Sequence, residues 1–205
     1  MNIPYFIVLF GLLMIAMSVH EFAHGWVAYR LGDTTAKYLG RLTLNPLAHI
    51  DPVGTVLLPL MLLIATNGQF VFGAAKPVPI NYLALRNPKR DMVLIGLSGP
   101  LSNLLFAVAS SLLLRFFPSH SGIGLILYNL IFINVVLGIF NLVPIPPLDG
   151  SRILAGILPR DLSELYSRLE PYGFFIIIIL LWLGVFDVFV WPIIRLIASL
   201  LANPF

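Results

Sequence analysis

The sequence contains no cysteine. Disulfides, thiolate metal centres and cysteine nucleophiles are therefore excluded together. Charge is scarce: Asp, Glu, Lys and Arg make up 10% of the 205 residues, where soluble domains carry about 25%. The few charges are scattered rather than massed, which excludes a disordered polyelectrolyte and leaves no basic patch for nucleic acid. A formal net charge of +3 is too small to imply a polyanionic partner. No Lys or Arg precedes Arg30, so the first apolar stretch lacks the basic flank of a cleavable signal peptide. What is abundant is apolar surface, with 59% hydrophobic residues and a mean hydropathy of +0.97. A chain this size cannot hide that excess in one aqueous core. The expected class is an all-α polytopic membrane protein, a single domain over residues 1–205 with the lipid bilayer as its solvent.

Four apolar stretches are long enough to cross a bilayer: residues 3–29, 92–117, 123–143 and 173–201. The last would be about 43 Å long as one helix, more than a crossing needs. Asp187 and Pro192 imply that it bends. Pro52 to Thr66 is also apolar but only 15 residues long, roughly 22 Å against a hydrocarbon core of about 30 Å. Leu42 and Leu44 alternate with Arg41 and Thr43, a strand signal that Asn45-Pro46 ends. Short strands are also expected around Phe70–Ile80, so a small membrane-associated β element is predicted beside the helices.

Orientation follows from the basic residues in short loops. Residues 30–92 carry seven Lys or Arg and residues 144–172 carry three, leaving only Arg115 and Arg195. Four spans put all ten on the cytoplasmic side if the segment 52–66 does not fully cross. A re-entrant or shallow segment is therefore favoured there, with both termini outside.

The chemistry concentrates in His20-Glu21-Phe22-Ala23-His24. On a helix, residues four apart share a face, so both imidazoles can reach one metal ion. Glu21 is offset by about 100° and lies beside them, able to accept a proton from water. Ionisable groups inside an apolar helix cost a few kcal/mol each unless partnered, and so tend to be functional. A hydrolytic zinc site needs a third protein ligand and keeps its fourth position for water. The candidates are carboxylates and the other histidines. Asp149 lies three residues from Arg152, and His20 and His24 lie within ten of Arg30, which places all three at similar depth on one side of the membrane. Asp149 in Pro147-Leu148-Asp149-Gly150 also reads as a plain turn former, and His49 is the next candidate.

Three elements, in this order, resemble the signature of the site-2 proteases, intramembrane zinc metalloproteases of the M50 type. They are His20-Glu21-Phe22-Ala23-His24, Gly99-Pro100-Leu101-Ser102-Asn103, and Asn141-Leu142-Val143-Pro144-Ile145-Pro146-Pro147-Leu148-Asp149-Gly150. The resemblance implies one Zn2+ per chain held by His20, His24 and Asp149, with Glu21 as general base. It implies a three-helix core, here around residues 4–30, 92–117 and 123–143; the C-terminal helix around 173–201 is expected from its apolar length alone. It also implies substrates that are membrane proteins or membrane-embedded peptides. No room is left for a PDZ domain between the core helices or a CBS domain after them, so the chain resembles the compact members. The expected setting is a prokaryotic cytoplasmic membrane, with the active site toward the cytoplasm.

Three further residues are candidates for substrate or oxyanion contact. Asn103 and Asn141 are uncharged donors on helices that should face the site, although plain interhelical hydrogen bonding explains them equally well. His49 follows the strand-like stretch and would stand behind the ligands or meet substrate; a loop histidine bonded to its neighbours is the plainer account. The competing functional class is a non-proteolytic metal-binding membrane protein or transporter. A transporter would show ligands strung along a pathway and internal repeats, and neither is visible.

Overall fold

A 29-residue apolar run with Pro4 near its start and Arg30 in its last turn folds as one helix, α1 (Ile3–Leu31). A four-residue helix, α2 (Thr35–Tyr38), follows. The computed structural model describes residues 3–57, 61, 64, 75–118 and 120–202. The second long helix, α3 (Pro88–Leu114), starts with Pro88 in its first turn, where its missing N–H costs nothing. Asp91 caps that end by accepting the Asn87 N–H at 2.9 Å. The third, α4 (Gly122–Asn141), is capped by Ser121, whose hydroxyl accepts the Gly124 N–H at 3.0 Å. Shorter helices follow: α5 (Asp149–Ile157), α6 (Arg160–Ser167), α7 (Gly173–Trp182), α8 (Val185–Phe189) and α9 (Trp191–Ala202).

Among the described residues, four stretches are long and apolar enough to cross a membrane: Pro4–Leu31, Pro88–Leu114, Gly122–Asn141 and Arg160–Trp182. The first three match the expected core helices. The expected helix over 173–201 is instead three helices. The chain breaks at Gly184, which adopts a left-handed φ of 73° that a side chain would strain. Pro192, a suspected bend, sits harmlessly in the first turn of α9. That helix turns back against α4, where Ala107, Leu127, Ile131, Val135, Ile194 and Ala198 form a buried cluster.

In the core, α3 packs against α1, α4 and α5 at once, and α1 also touches α4. The side chains at the centre of these contacts are unusually polar. Ser18, Asn103, Ser110 and Asn134 are fully buried, while Ile7, Leu105, Phe175 and Trp182 face outward. This is the pattern of a chain whose surroundings are as apolar as its core: nothing drives leucine inward, and polar groups gather where other helices can hydrogen-bond them.

The expected β element does not form among the described residues. Residues 41–45 and 75–81 are non-helical, but they carry no strand. Prolines 77 and 79 remove alternate N–H donors from the second stretch, so a ladder cannot build along it. A single backbone bond, from Lys76 N–H to the His49 carbonyl at 2.9 Å, joins it to the preceding loop. Of the apolar segment 52–66, Pro52–Leu57 forms a π-helical turn. Most of its remainder lies outside the described residues, as does the part of the second expected strand before residue 75.

Candidate metal centre

The i, i+4 spacing on α1 stacks His20 and His24 with ring centroids 4.6 Å apart and planes at 84°. Asp149 is the first residue of α5, carried to them by the Pro-rich turn after α4. The two Nε2 atoms lie 3.0 Å apart, and Asp149 Oδ2 is 2.9 Å from His20 Nε2 and 3.2 Å from His24 Nε2. Both histidines are buried, and the Asp149 side chain is 18% exposed, so the cluster has one open side.

The hydrogen bonds behind the rings decide which nitrogen carries the proton. His24 Nδ1–H donates to the Ile95 carbonyl at 2.7 Å, and a carbonyl can only accept. His20 Nδ1–H donates to Asn103 Oδ1 at 2.6 Å. The Asn103 amide is fixed in that sense, because its Nδ2 donates to the Ala16 carbonyl at 3.1 Å and to Asn134 Oδ1 at 2.7 Å. Asn134 is fixed in turn by donating to the Leu130 carbonyl at 2.8 Å. With both Nδ1 atoms donating, each neutral ring turns an Nε2 lone pair toward the other and toward the carboxylate. Three lone-pair atoms this close repel one another unless a cation lies between them, and a metal ion fits that place. Tetrahedral zinc with bonds of about 2.0–2.1 Å separates its ligands by about 3.3 Å, so the three donors fit it within a few tenths of an ångström. Among the described residues no other group of three His, Asp or Glu donors converges in this way.

Glu21 lies outside that group. Its Oε2 accepts the backbone N–H of Val78 at 2.7 Å. Gly99 of α3 forms the floor of the cluster: a Cβ built there would overlap both imidazoles. Sequence reading placed Gly99 in a motif without seeing this role. It did not connect Val78 to Glu21 or Asn134 to His20 at all. A buried asparagine in the middle of an apolar helix was the one available signal for Asn134.

The secondary candidates fall elsewhere. Asn103 is fully buried, its amide spent on His20, Ala16 and Asn134, which makes it a support for His20 rather than a group facing substrate. Asn141 ends α4 and donates to its own helix at the Leu137 carbonyl, 3.0 Å away. His49 is fully buried and its Nε2 contacts the Thr43 carbonyl at 2.9 Å, apart from the donor cluster. Removing the support behind His20 should weaken the centre without touching a ligand. For Asn103→Leu, zinc affinity measured by competition with a chelator should fall roughly 10–100-fold. Affinity equal to wild type would show that the Asn103 bond does not orient the ring.

The geometry agrees with what the chain is similar to. The profile of Peptidase family M50 matches residues 118–184. YwhC of Bacillus subtilis is 35% identical over 201 residues, covering 94% of this chain and 86% of the relative. Rip2 of Mycolicibacterium smegmatis is 33% identical over 179 residues, covering 86% of this chain and 67% of the relative. Both carry zinc metalloprotease in their names, as does MJ0392 of Methanocaldococcus jannaschii, 28% identical over 81% of this chain and 39% of its own. No solved structure matches the chain. Four apolar helices among the described residues and a His, His, Asp cluster suited to zinc thus accompany a relative 35% identical over most of both chains, and the chain belongs to peptidase family M50, the membrane-embedded zinc metalloproteases.

Proposed function

We propose that this protein cuts peptide bonds in or near the transmembrane segments of other membrane proteins, with His20, His24 and Asp149 holding the zinc and Glu21 as general base. The observation that carries the assignment is the convergence of three lone-pair donors, with a separate carboxylate on the same helix turn. Zinc, when bound, supplies Lewis-acid activation of water and of the scissile carbonyl. Glu21 takes the proton of the attacking water and returns it to the leaving amine nitrogen. His20 and His24 are kept in the ligating tautomer by Asn103 and the Ile95 carbonyl, so no proton need leave them when the metal arrives. The site's position among membrane-spanning helices favours substrates that share the bilayer. Such substrates must unwind locally, because helical peptide bonds are shielded and already hydrogen-bonded.

The basic loops support a cytoplasmic opening of the site. The reading is tested by reconstituting the full chain with a panel of single-span substrates and with the same peptides in soluble, non-inserted form. Cleavage of inserted substrates that a chelator stops is expected. In the same vesicles, cysteines at Arg90 and His120 should be labelled from opposite faces, position 90 from the cytoplasmic one. Cleavage confined to soluble peptides would overturn the substrate class, and external labelling of position 90 would overturn the orientation.

A further inference from the structure

The contact between Glu21 and Val78 belongs to a larger arrangement that the metal cluster does not explain. Residues 76–81 run along the end of α1 and are tied at both ends. Lys76 N–H bonds the His49 carbonyl, and Asn81 N–H bonds Asp33 Oδ2 at 2.7 Å. Asp33 is itself buried and also accepts the Thr35 N–H. Between these anchors the Arg41 guanidinium reaches across. Its Nη2 donates to the Lys76 carbonyl at 2.7 Å and to the Pro77 carbonyl at 3.3 Å. Arg41 is held in turn by its own N–H on the Ala36 carbonyl at 2.8 Å. The side chain of Val78 is buried against α1, beside Gly25, one turn from Glu21.

Prolines 77 and 79 have no N–H. Val78 therefore offers the only amide donor of residues 77–79, and that donor is aimed at Glu21. We propose that Arg41 is a positioning residue for Glu21: it clamps the Lys76 and Pro77 carbonyls, and the backbone so fixed holds the carboxylate through the Val78 N–H. Oε2 is occupied by this bond. Oε1 has no hydrogen-bond partner among the described residues and is the oxygen left for proton transfer. A backbone N–H is a better fixture here than a side chain, since it donates to the anion with no rotamer of its own to lose. Buried Val78 and the anchors at both ends make the segment a permanent fitting rather than a cover that must lift.

The inference rests on Glu21 as the base, so its test needs a reading that does not depend on cleavage. Hydrogen exchange of the amides of Lys76, Val78 and Ile80 in the purified full chain supplies it. Glu21→Ala should speed exchange at Val78, and Arg41→Ala should speed exchange across the segment. Arg41→Ala should also keep its zinc and lower kcat roughly tenfold or more, with KM within about twofold of wild type. Arg41→Lys, which can still donate to one carbonyl, should recover part of the loss. Unchanged exchange in Arg41→Ala overturns the clamp. A raised KM at unchanged kcat would make Arg41 a substrate contact, and a raised kcat would make the segment a lid; either overturns the proposal. Should Arg41→Ala not fold, Val78→Pro removes the N–H together with the buried valine side chain, which Val78→Ala trims while keeping the N–H; Val78→Pro should show the fall in kcat with zinc retained and Val78→Ala should not, and wild-type kcat in Val78→Pro overturns it. A wild-type chain that cuts nothing while Arg41→Ala still speeds exchange across the segment would refute the proteolytic reading and leave the clamp standing.

Discussion

Glu21→Gln should lose peptide cleavage by a factor of roughly 100–10,000, the range that general acid–base catalysis contributes, while zinc stays near one per chain. The substitution keeps size and shape. A glutamine oxygen still accepts the Val78 N–H, so the side chain stays where the wild-type carboxylate lies. What it loses is the ability to take a proton from water and return it to an amine. The three donors of the metal cluster are untouched, because Glu21 is not one of them. Elemental analysis and a cleavage assay on the same preparation check both halves. Near wild-type proteolysis would remove Glu21 from the mechanism, and loss of zinc would mean that it holds the metal.

Gly99→Ala is expected to abolish both zinc retention and activity, although the added group is one methyl. A Cβ at this position collides with the rings of His20 and His24. Either the two rings swing off the Asn103 amide and the Ile95 carbonyl that hold them, or α1 moves off α3. Overpacking of this kind costs about 1–3 kcal/mol of stability, which a membrane helix bundle can survive, but the donors cannot converge afterwards. Gly122→Ala is the matching control, since open space surrounds that glycine at the start of α4. Measured by metal content and cleavage, Gly122→Ala should resemble wild type. A Gly99→Ala protein with full zinc would show that the contact between α1 and α3 is looser than the geometry here.

The parts of the centre that were legible beforehand are those written in local spacing. His20 and His24 are four residues apart, and helical geometry alone brings them together. Asp149 is 125 residues from His24 and was reached by matching its depth to theirs and by the family signature, not by periodicity. Nothing local links Val78 to Glu21 or Arg41 to the Lys76 carbonyl, because those contacts depend on how a loop is laid over α1. The prolines at 77 and 79 argue against a strand, yet the apolar composition around Phe70–Ile80 reads as short strands. In the C-terminal run, Asp187 and Pro192 drew attention as breakers. The break comes at Gly184, a glycine inside the apolar run whose left-handed φ is a usual way to end a helix. Asn103 was recognised as facing the site, but an amide that serves the substrate and one that serves a histidine look alike until its other bonds are known.

The separation of the donors along the chain also bears on when the enzyme becomes dangerous. Synthesis runs from the N-terminus, so His20 and His24 enter the membrane long before Asp149 exists. On the proposed ligand set, a nascent chain has two donors, both on α1, and no third. The third arrives only after α3 and α4 are made, and it meets the others only once α1, α3 and α5 have packed. If its substrates are the membrane segments proposed above, the enzyme is thereby kept inert while its own unpacked helices are the nearest substrates, and the late arrival of one aspartate serves as the release.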